Sequence, residues 1–257
     1  MAYVLHPFWV WNAALNQLYM SSYYLAPDLI PYYFDALKRY RINCVFKVID
    51  MEKDEVLANL NYFTQWGGRA WAHLCRHAIQ YLDDLHGKTL LEIGPHYGRM
   101  SVCFALLGAK VIGIETSAAD LKEAEAEARR WGVEANVSFV HYDGDLDHCQ
   151  ALNELEFDVI FTKSVLVLFG DSLFGYLQKL DRKLKTSGRC VFLENRYGGM
   201  ICSALRKGQA ILRGEKPHTS LAPAQIRLIN QVFHILMVKR TMIPPIYLIM
   251  AQKKIYF

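Results

Sequence analysis

The residues with the most chemical potential lie in one run, Leu90-Leu91-Glu92-Ile93-Gly94-Pro95-His96-Tyr97-Gly98-Arg99, in which a strand-length apolar stretch enters a glycine turn and then a helical pattern. In a doubly wound sheet such a turn sits at the carboxyl edge of a strand, where ligands bind. Glycines suit it because they let the backbone approach a nucleoside and accept positive φ. Alone, a G-x-x-x-G turn is only a turn. Two acids at fitting distances give it chemistry. Glu115 closes Val111-Ile112-Gly113-Ile114-Glu115 about 20 residues after Gly94, where a carboxylate can accept both hydroxyls of a ribose. Asp143 follows the run 136–142 and can accept from the exocyclic amine of adenine. Glu92, Glu115 and Asp143 are therefore expected to converge with the turn on one adenosine-shaped recess. The dinucleotide fingerprint G-x-G-x-x-G is not met, because no third glycine falls at the required step.

The elements that must carry these groups follow from hydrophobic period. From Lys88 onward, short β-rich apolar runs alternate with helical patterns, the mark of βαβ units around a parallel sheet buried on both faces. Strands are expected at 89–93, 110–115, 137–142, 158–162, 189–194, 232–240 and 246–253. A helix is expected over 117–131, where Ser117 caps, Asp120 completes a capping-box pattern and Gly132 stops the turn. Others are expected at 171–184 and from about Pro223. Residues 1–86 differ in composition. They are rich in aromatics (Phe8, Trp9, Trp11, Tyr19, Tyr23, Tyr24, Tyr32, Tyr33, Phe34) and lack glycine before Gly67. Within them Trp71, Leu74, Cys75, Ala78, Leu82 and Leu85 recur at three- and four-residue steps, which predicts a buried helical stripe ending before Gly87. The expected organisation is a helical N-terminal extension or lid over 1–86 and a Rossmann-like domain over 87–257, with a polar, basic insert at about 195–222.

The motifs resemble those of class I S-adenosylmethionine-dependent methyltransferases of the small-molecule type, over roughly 87–257. In that family the first strand ends in an acid and a G-x-G-x-G turn, read here as Glu92, Gly94, His96 and Gly98. Glu115 and the adjoining Thr116 match the ribose acid and its neighbour, and Asp143-Gly144 matches the acid beside the adenine. Residues 157–164 resemble the fourth motif, placing Lys163 beside the cofactor, and 180–189 resemble the helix-to-strand passage R-x-L-K-P-G-G. The resemblance implies an α/β fold with a doubly wound, seven-stranded, mostly parallel sheet in the order 3-2-1-4-5-7-6. It also implies S-adenosylmethionine as cofactor and S-adenosylhomocysteine as product. His96 departs from the pattern at the middle glycine. Three fates remain open for it: tilting outward, contacting the methionine carboxylate or the acceptor, or blocking the cofactor.

Methyl transfer is an in-line displacement, so the protein mainly aligns the reactants and excludes water, with a base where the acceptor must lose a proton. Candidates at the acceptor are Tyr23, Tyr24, Lys163, Asn195, Arg196, Tyr197 and His218, of which His218, Lys163 and Tyr24 are the catalytic candidates; His218 has a near-neutral reference pKa. Thr162-Lys163-Ser164 is not an N-P-P-Y-like motif, which argues against adenine or glutamine amide nitrogen as acceptor, and no aspartate there suggests a divalent metal. A small organic acceptor, methylated on oxygen or nitrogen, is expected under a lid of this size. The alternatives are a non-catalytic binding subunit, in which His96 blocks the cofactor, and an RNA methyltransferase using Arg196, Arg206, Lys207, Arg213 and Lys216.

Composition narrows the classes further. The 257 residues, 53% of them apolar, suffice for one large α/β domain. The charge of +4 comes from 29 basic and 25 acidic residues that are scattered, without a long Lys/Arg run to track a phosphate backbone, so no nucleic-acid partner is expected. Six cysteines lie far apart with no C-x-x-C pair, which suggests buried reduced thiols, no metal site and a cytoplasmic location. The apolar stretch 232–250 is cut by His234, Lys239, Arg240 and Pro244-Pro245 into strand-length pieces, so no membrane span is expected.

Overall fold

Apolar runs with no polar face satisfy their backbone best inside a sheet covered on both sides. In this computed structural model, which describes residues 53–64, 68–196, 220–242 and 245–255, seven runs of five to twelve residues form one sheet, whose central strands are such runs and whose two edge strands are partly exposed. The strands are β1 (Thr89–Ile93), β2 (Lys110–Glu115), β3 (Val137–His141), β4 (Phe157–Lys163), β5 (Leu184–Asn195), β6 (Phe233–Thr241) and β7 (Ile246–Lys253). Their order is β3-β2-β1-β4-β5-β7-β6, as the resemblance implies. The first five are parallel, and β7 runs antiparallel to both β5 and β6. From β1 the chain lays strands outward first on one side (β2, β3) and then on the other (β4, β5), a switch that opens a crevice at the carboxyl ends of β1, β2 and β4.

Among the described residues seven α-helices accompany the sheet: α1 (Lys53–Ala58), α2 (Leu60–Phe63), α3 (Gly68–Leu82), α4 (Arg99–Leu106), α5 (Ala118–Arg130), α6 (Leu173–Lys183) and α7 (Pro223–Val232). On one face Leu74, Cys75, Ala78 and Ile79 of α3 and Val102 and Phe104 of α4 pack on Leu90, Val159, Phe161, Val191 and Leu248. The aromatic and aliphatic stripe of α3 is thus buried in the sheet's own core rather than forming a separate one. On the other face Tyr176, Leu177 and Leu180 of α6 and Ile229 of α7 pack on Leu91, Ile93, Ile160, Phe192 and Ile249. Each fully buried Leu, Ile or Phe contributes roughly 1.5–3 kcal/mol relative to exposure.

Local signals behave as their chemistry demands. The Ser117 hydroxyl accepts from the Asp120 N–H at 3.3 Å to start α5, and Gly132, at φ +65°, follows its end. The Gln225 side chain accepts from the Ala222 N–H at 2.8 Å, with Pro223 opening α7. Most strand and helix limits fall within a residue of expectation, and two starts differ by more. α6 begins at Leu173 because two short 3-10 turns occupy 166–172, and β5 begins at Leu184 because its register against β4 shifts between Phe157 and Val159.

Candidate functional site

The glycine turn leaves β1 through three positive-φ residues: Gly94 (+68°), His96 (+53°) and Gly98 (+71°). What excludes side chains at the glycines is protein as well as backbone angle. A Cβ on Gly94 would lie 2.8 Å from Val165 Cγ2, and one on Gly98 would lie 2.7 Å from Phe139 Cζ and 2.8 Å from Ala124 Cβ. Glycine here lets the turn pack down on its neighbours, a reason additional to the open approach that the sequence suggested. Histidine at 96 tolerates the left-handed region better than most residues.

Glu115 ends β2 beside this turn and is buried. Its Oε2 accepts from the His96 N–H at 3.1 Å, and its Oε1 accepts from the Thr116 N–H at 2.6 Å, the Thr116 hydroxyl at 3.1 Å and the Ser117 N–H at 3.2 Å. The Gly94 N–H meanwhile donates to the Ile114 carbonyl at 2.9 Å. Turn and carboxylate are therefore one hydrogen-bonded unit. Because Oε2 receives a single protein donor, it keeps lone-pair capacity for another, which is what a ribose hydroxyl needs.

The imidazole of His96 reaches toward α5, with Nε2 3.9 Å from the Asp120 carboxylate, and stands edge-on to Tyr97 at 3.9 Å. Partial burial lowers its pKa, opposed by Asp120 and Glu115. Asp143, just past β3, is exposed. It accepts from the Asp145 N–H at 2.8 Å and pairs with His148 Nδ1 at 2.7 Å. That imidazole holds the Asp143 carboxyl below its usual range, and Asp143 raises His148 in turn. Gly144 follows at φ +99°. The same loop is anchored to α6, where Lys179 binds Asp145 and Asp147, and Arg182 reaches Asp147 at 2.9 Å. The Tyr142 N–H donates to the Glu115 carbonyl at 3.1 Å, so the ends of β2 and β3 lie side by side.

Two expected members of the recess sit elsewhere. The Glu92 carboxyl lies beneath the turn, 2% exposed, accepting from the Ser101 hydroxyl of α4 at 2.5 Å. Burial pushes it up to about 7, against the pull of Ser101 and Lys163. Lys163, at the end of β4, sends its ammonium to the Thr64 carbonyl at 2.5 Å and stands 5.8 Å from the Trp71 ring centre. Burial lowers its pKa, with Cys75 and Glu92 opposing. Of the other acceptor candidates, Asn195 donates to the Ser164 hydroxyl at 3.2 Å, and Arg196 turns toward the Thr241 carbonyl (3.4 Å) and the Tyr247 ring. Tyr23, Tyr24, Tyr197 and His218 lie outside the described residues.

A residue the sequence reading passed over is Glu194, on β5. It is fully buried, and its Oε1 accepts from the Thr162 hydroxyl, the Val165 N–H and the Leu166 N–H at 3.0, 3.2 and 3.1 Å. The signal was present as a single acid after the apolar run Cys190-Val191-Phe192-Leu193. Among the described residues no group of three His, Cys, Asp or Glu side chains is placed to hold a metal. A cavity of about 440 Å³ lined by His86, Gly108, Trp131 and Asn136 opens at the amino edge of the strands, the edge opposite Glu115.

Residues 91–192 match the family described as a methyltransferase domain. No curated protein matches the chain. Among solved structures the fold is similar to those of many proteins, three methyltransferases among them. One is an S-adenosylmethionine-dependent methyltransferase from Mesorhizobium loti (17% identity, TM-score 0.58, 73% of this chain and 99% of that one). Another is magnesium protoporphyrin IX methyltransferase from Synechocystis PCC 6803 with S-adenosylhomocysteine bound (17%, 0.53, 79% and 100%). The third is the N-methyltransferase NodS from Bradyrhizobium japonicum WM9, also with S-adenosylhomocysteine (16%, 0.52, 79% and 97%). The stretch 91–192 thus matches a methyltransferase domain, and the fold is that of these solved methyltransferases.

Proposed function

We propose that this enzyme takes up S-adenosylmethionine at the carboxyl edge of β1, β2 and β3 and moves a methyl group to oxygen or nitrogen of a small organic acceptor, releasing S-adenosylhomocysteine. The observation that carries the reading is Glu115: joined to the turn through the His96 N–H, it retains an acceptor oxygen for the ribose. Thr116 fixes the rotamer of that carboxylate. Asp143 and Gly144, beside it, face the adenine, with His148 orienting the acid. Gly94, His96 and Gly98 form the floor under the methionine portion. Glu92 supports that floor from below through Ser101, and Lys163 fastens the chain end of α2 against it through Thr64.

When bound, S-adenosylmethionine supplies a methyl group on a sulfonium, open to a nucleophile in line with the carbon–sulfur bond. The chain's own part is to hold the acceptor on that line and keep water away. A small acceptor is in keeping with similar structures named as a magnesium protoporphyrin IX methyltransferase and an N-methyltransferase. A reducing compartment such as the cytoplasm suits the four free, buried thiols of Cys75, Cys103, Cys149 and Cys190. No helix among the described residues is long and apolar enough to cross a membrane. The basic residues 206, 207, 213 and 216, which an RNA substrate would use, lie outside the described residues.

The test is incubation with S-adenosylmethionine and panels of phenols, amines and carboxylic acids, scored by S-adenosylhomocysteine formed. Acceptor-dependent product from one panel is the expected result. Product formed only on RNA overturns the small-acceptor reading.

A further inference from the structure

Glu194 stands one residue before the end of β5 with 0% of its surface exposed. All three of its hydrogen bonds converge on Oε1, while Oε2, also buried, has no partner. A buried carboxyl is costly where an apolar side chain of similar volume is not, and an oxygen left unmatched adds to the cost. Burial accordingly pushes this carboxyl up to about 7. What the acid secures is the segment leaving β4. There Ser164 is held at φ +61°, its N–H donating to the Leu193 carbonyl at 2.9 Å and its hydroxyl accepting from Asn195. The next two N–H groups, of Val165 and Leu166, both end on Glu194. So fixed, Val165 closes over the glycine turn, its Cγ2 occupying the space a Gly94 side chain would need.

We propose that Glu194 is a positioning residue for the nucleoside recess, acting through Val165 on Gly94. The proposal rests on the S-adenosylmethionine reading given above. Three donors on one carboxyl oxygen define where Val165 lies, and Val165 defines how far the turn can rise from the sheet. The turn in turn carries the His96 N–H that holds Glu115. A carboxyl on β5 thereby shapes a recess centred on β1 and β2 without entering it.

The test is calorimetric titration of S-adenosylhomocysteine into the wild-type protein, Glu194→Ala, Glu194→Gln and Val165→Ala, with amide exchange followed at positions 165 and 166. Glutamine keeps a carbonyl oxygen for the three donors, so it separates bracketing from simple loss of volume. Removing the bracket is expected to weaken affinity about tenfold, in line with losing hydrogen bonds to a charged group. Exchange at 165 and 166 should rise in Glu194→Ala, and Glu194→Gln should restore both readouts. Val165→Ala should weaken binding while both amides stay protected, and it serves if Glu194→Ala does not fold. Wild-type affinity in Val165→Ala, or a loss in Glu194→Gln as large as in Glu194→Ala, overturns the proposal. A wild-type protein that does not bind at all overturns the underlying reading and this inference with it.

Discussion

Three acids stand at or next to the ends of strands on the same edge of the sheet, yet they live in two different regions. Glu115 lies on the β1–β3 side and receives four donors from the turn and from its own chain neighbours. Glu92 and Glu194 flank β4, one on each face of the sheet, and are sealed from water with carboxyls pushed up to about 7. The difference teaches that a strand-end acid does not acquire a role from its position alone. The role depends on how many N–H groups point at it and on whether anything outside the protein can reach it.

The sharpest way to break this comparison is to disturb the backbone on which the first region depends. Gly98→Ala must hold a side chain at φ +71° and place a Cβ within 2.8 Å of Phe139 and Ala124. Strain and overpacking together should cost about 3 kcal/mol. Urea denaturation measures it, and an unchanged midpoint would remove packing as the reason for glycine there.

The second region is probed by pH. Glu92 binds its proton more tightly in the folded chain than in the unfolded one, its carboxyl rising from 4.5 to about 7. Its contribution is therefore full below pH 4.5 and is lost as pH climbs through 7. Glu92→Gln, which removes the titration and keeps an oxygen for Ser101, should gain on the order of 2 kcal/mol over the wild type at pH 8. The gain should vanish near pH 4.5. Thermal melts across that window decide it, and a mutant curve parallel to the wild type contradicts the sealed-carboxyl account.

The smallest effect belongs to the exposed rim. Asp143→Asn should weaken S-adenosylhomocysteine binding only a few-fold, since an exposed polar contact is worth little. It should also let the His148 pKa fall back toward its usual value, because Asp143 is what raises it. Proton NMR of the His148 ring follows the shift, and a His148 titration that does not move would remove the pair.

The positions of the strands, the α5 caps and the place of Glu115 were legible because each rests on short-range rules: apolar period, a hydroxyl before a helix, an acid about 20 residues after a glycine turn; the strand order followed from the family resemblance alone. Glu92 was read as a rim residue because spacing puts it on the right strand. A strand alternates faces, however, and Glu92 shares its face with Leu90, under α4, while Leu91 and Ile93 share the other. Lys163 was placed beside the cofactor by its motif, but its long side chain instead reaches the Thr64 carbonyl, far back in the sequence. Glu194 stayed hidden for a related reason. Its three donors come from the end of β4, and no local pattern announces contacts between strands that meet only in the folded sheet.

The account's central claim is that the turn and Glu115 form one nucleoside-binding unit. Calorimetric titration of S-adenosylhomocysteine into the wild-type protein and Glu115→Ala tests it most directly. Micromolar affinity, reduced about thirtyfold or more by the substitution, is the predicted result. Equal affinity in the two proteins, or none in the wild type at millimolar ligand, would contradict it.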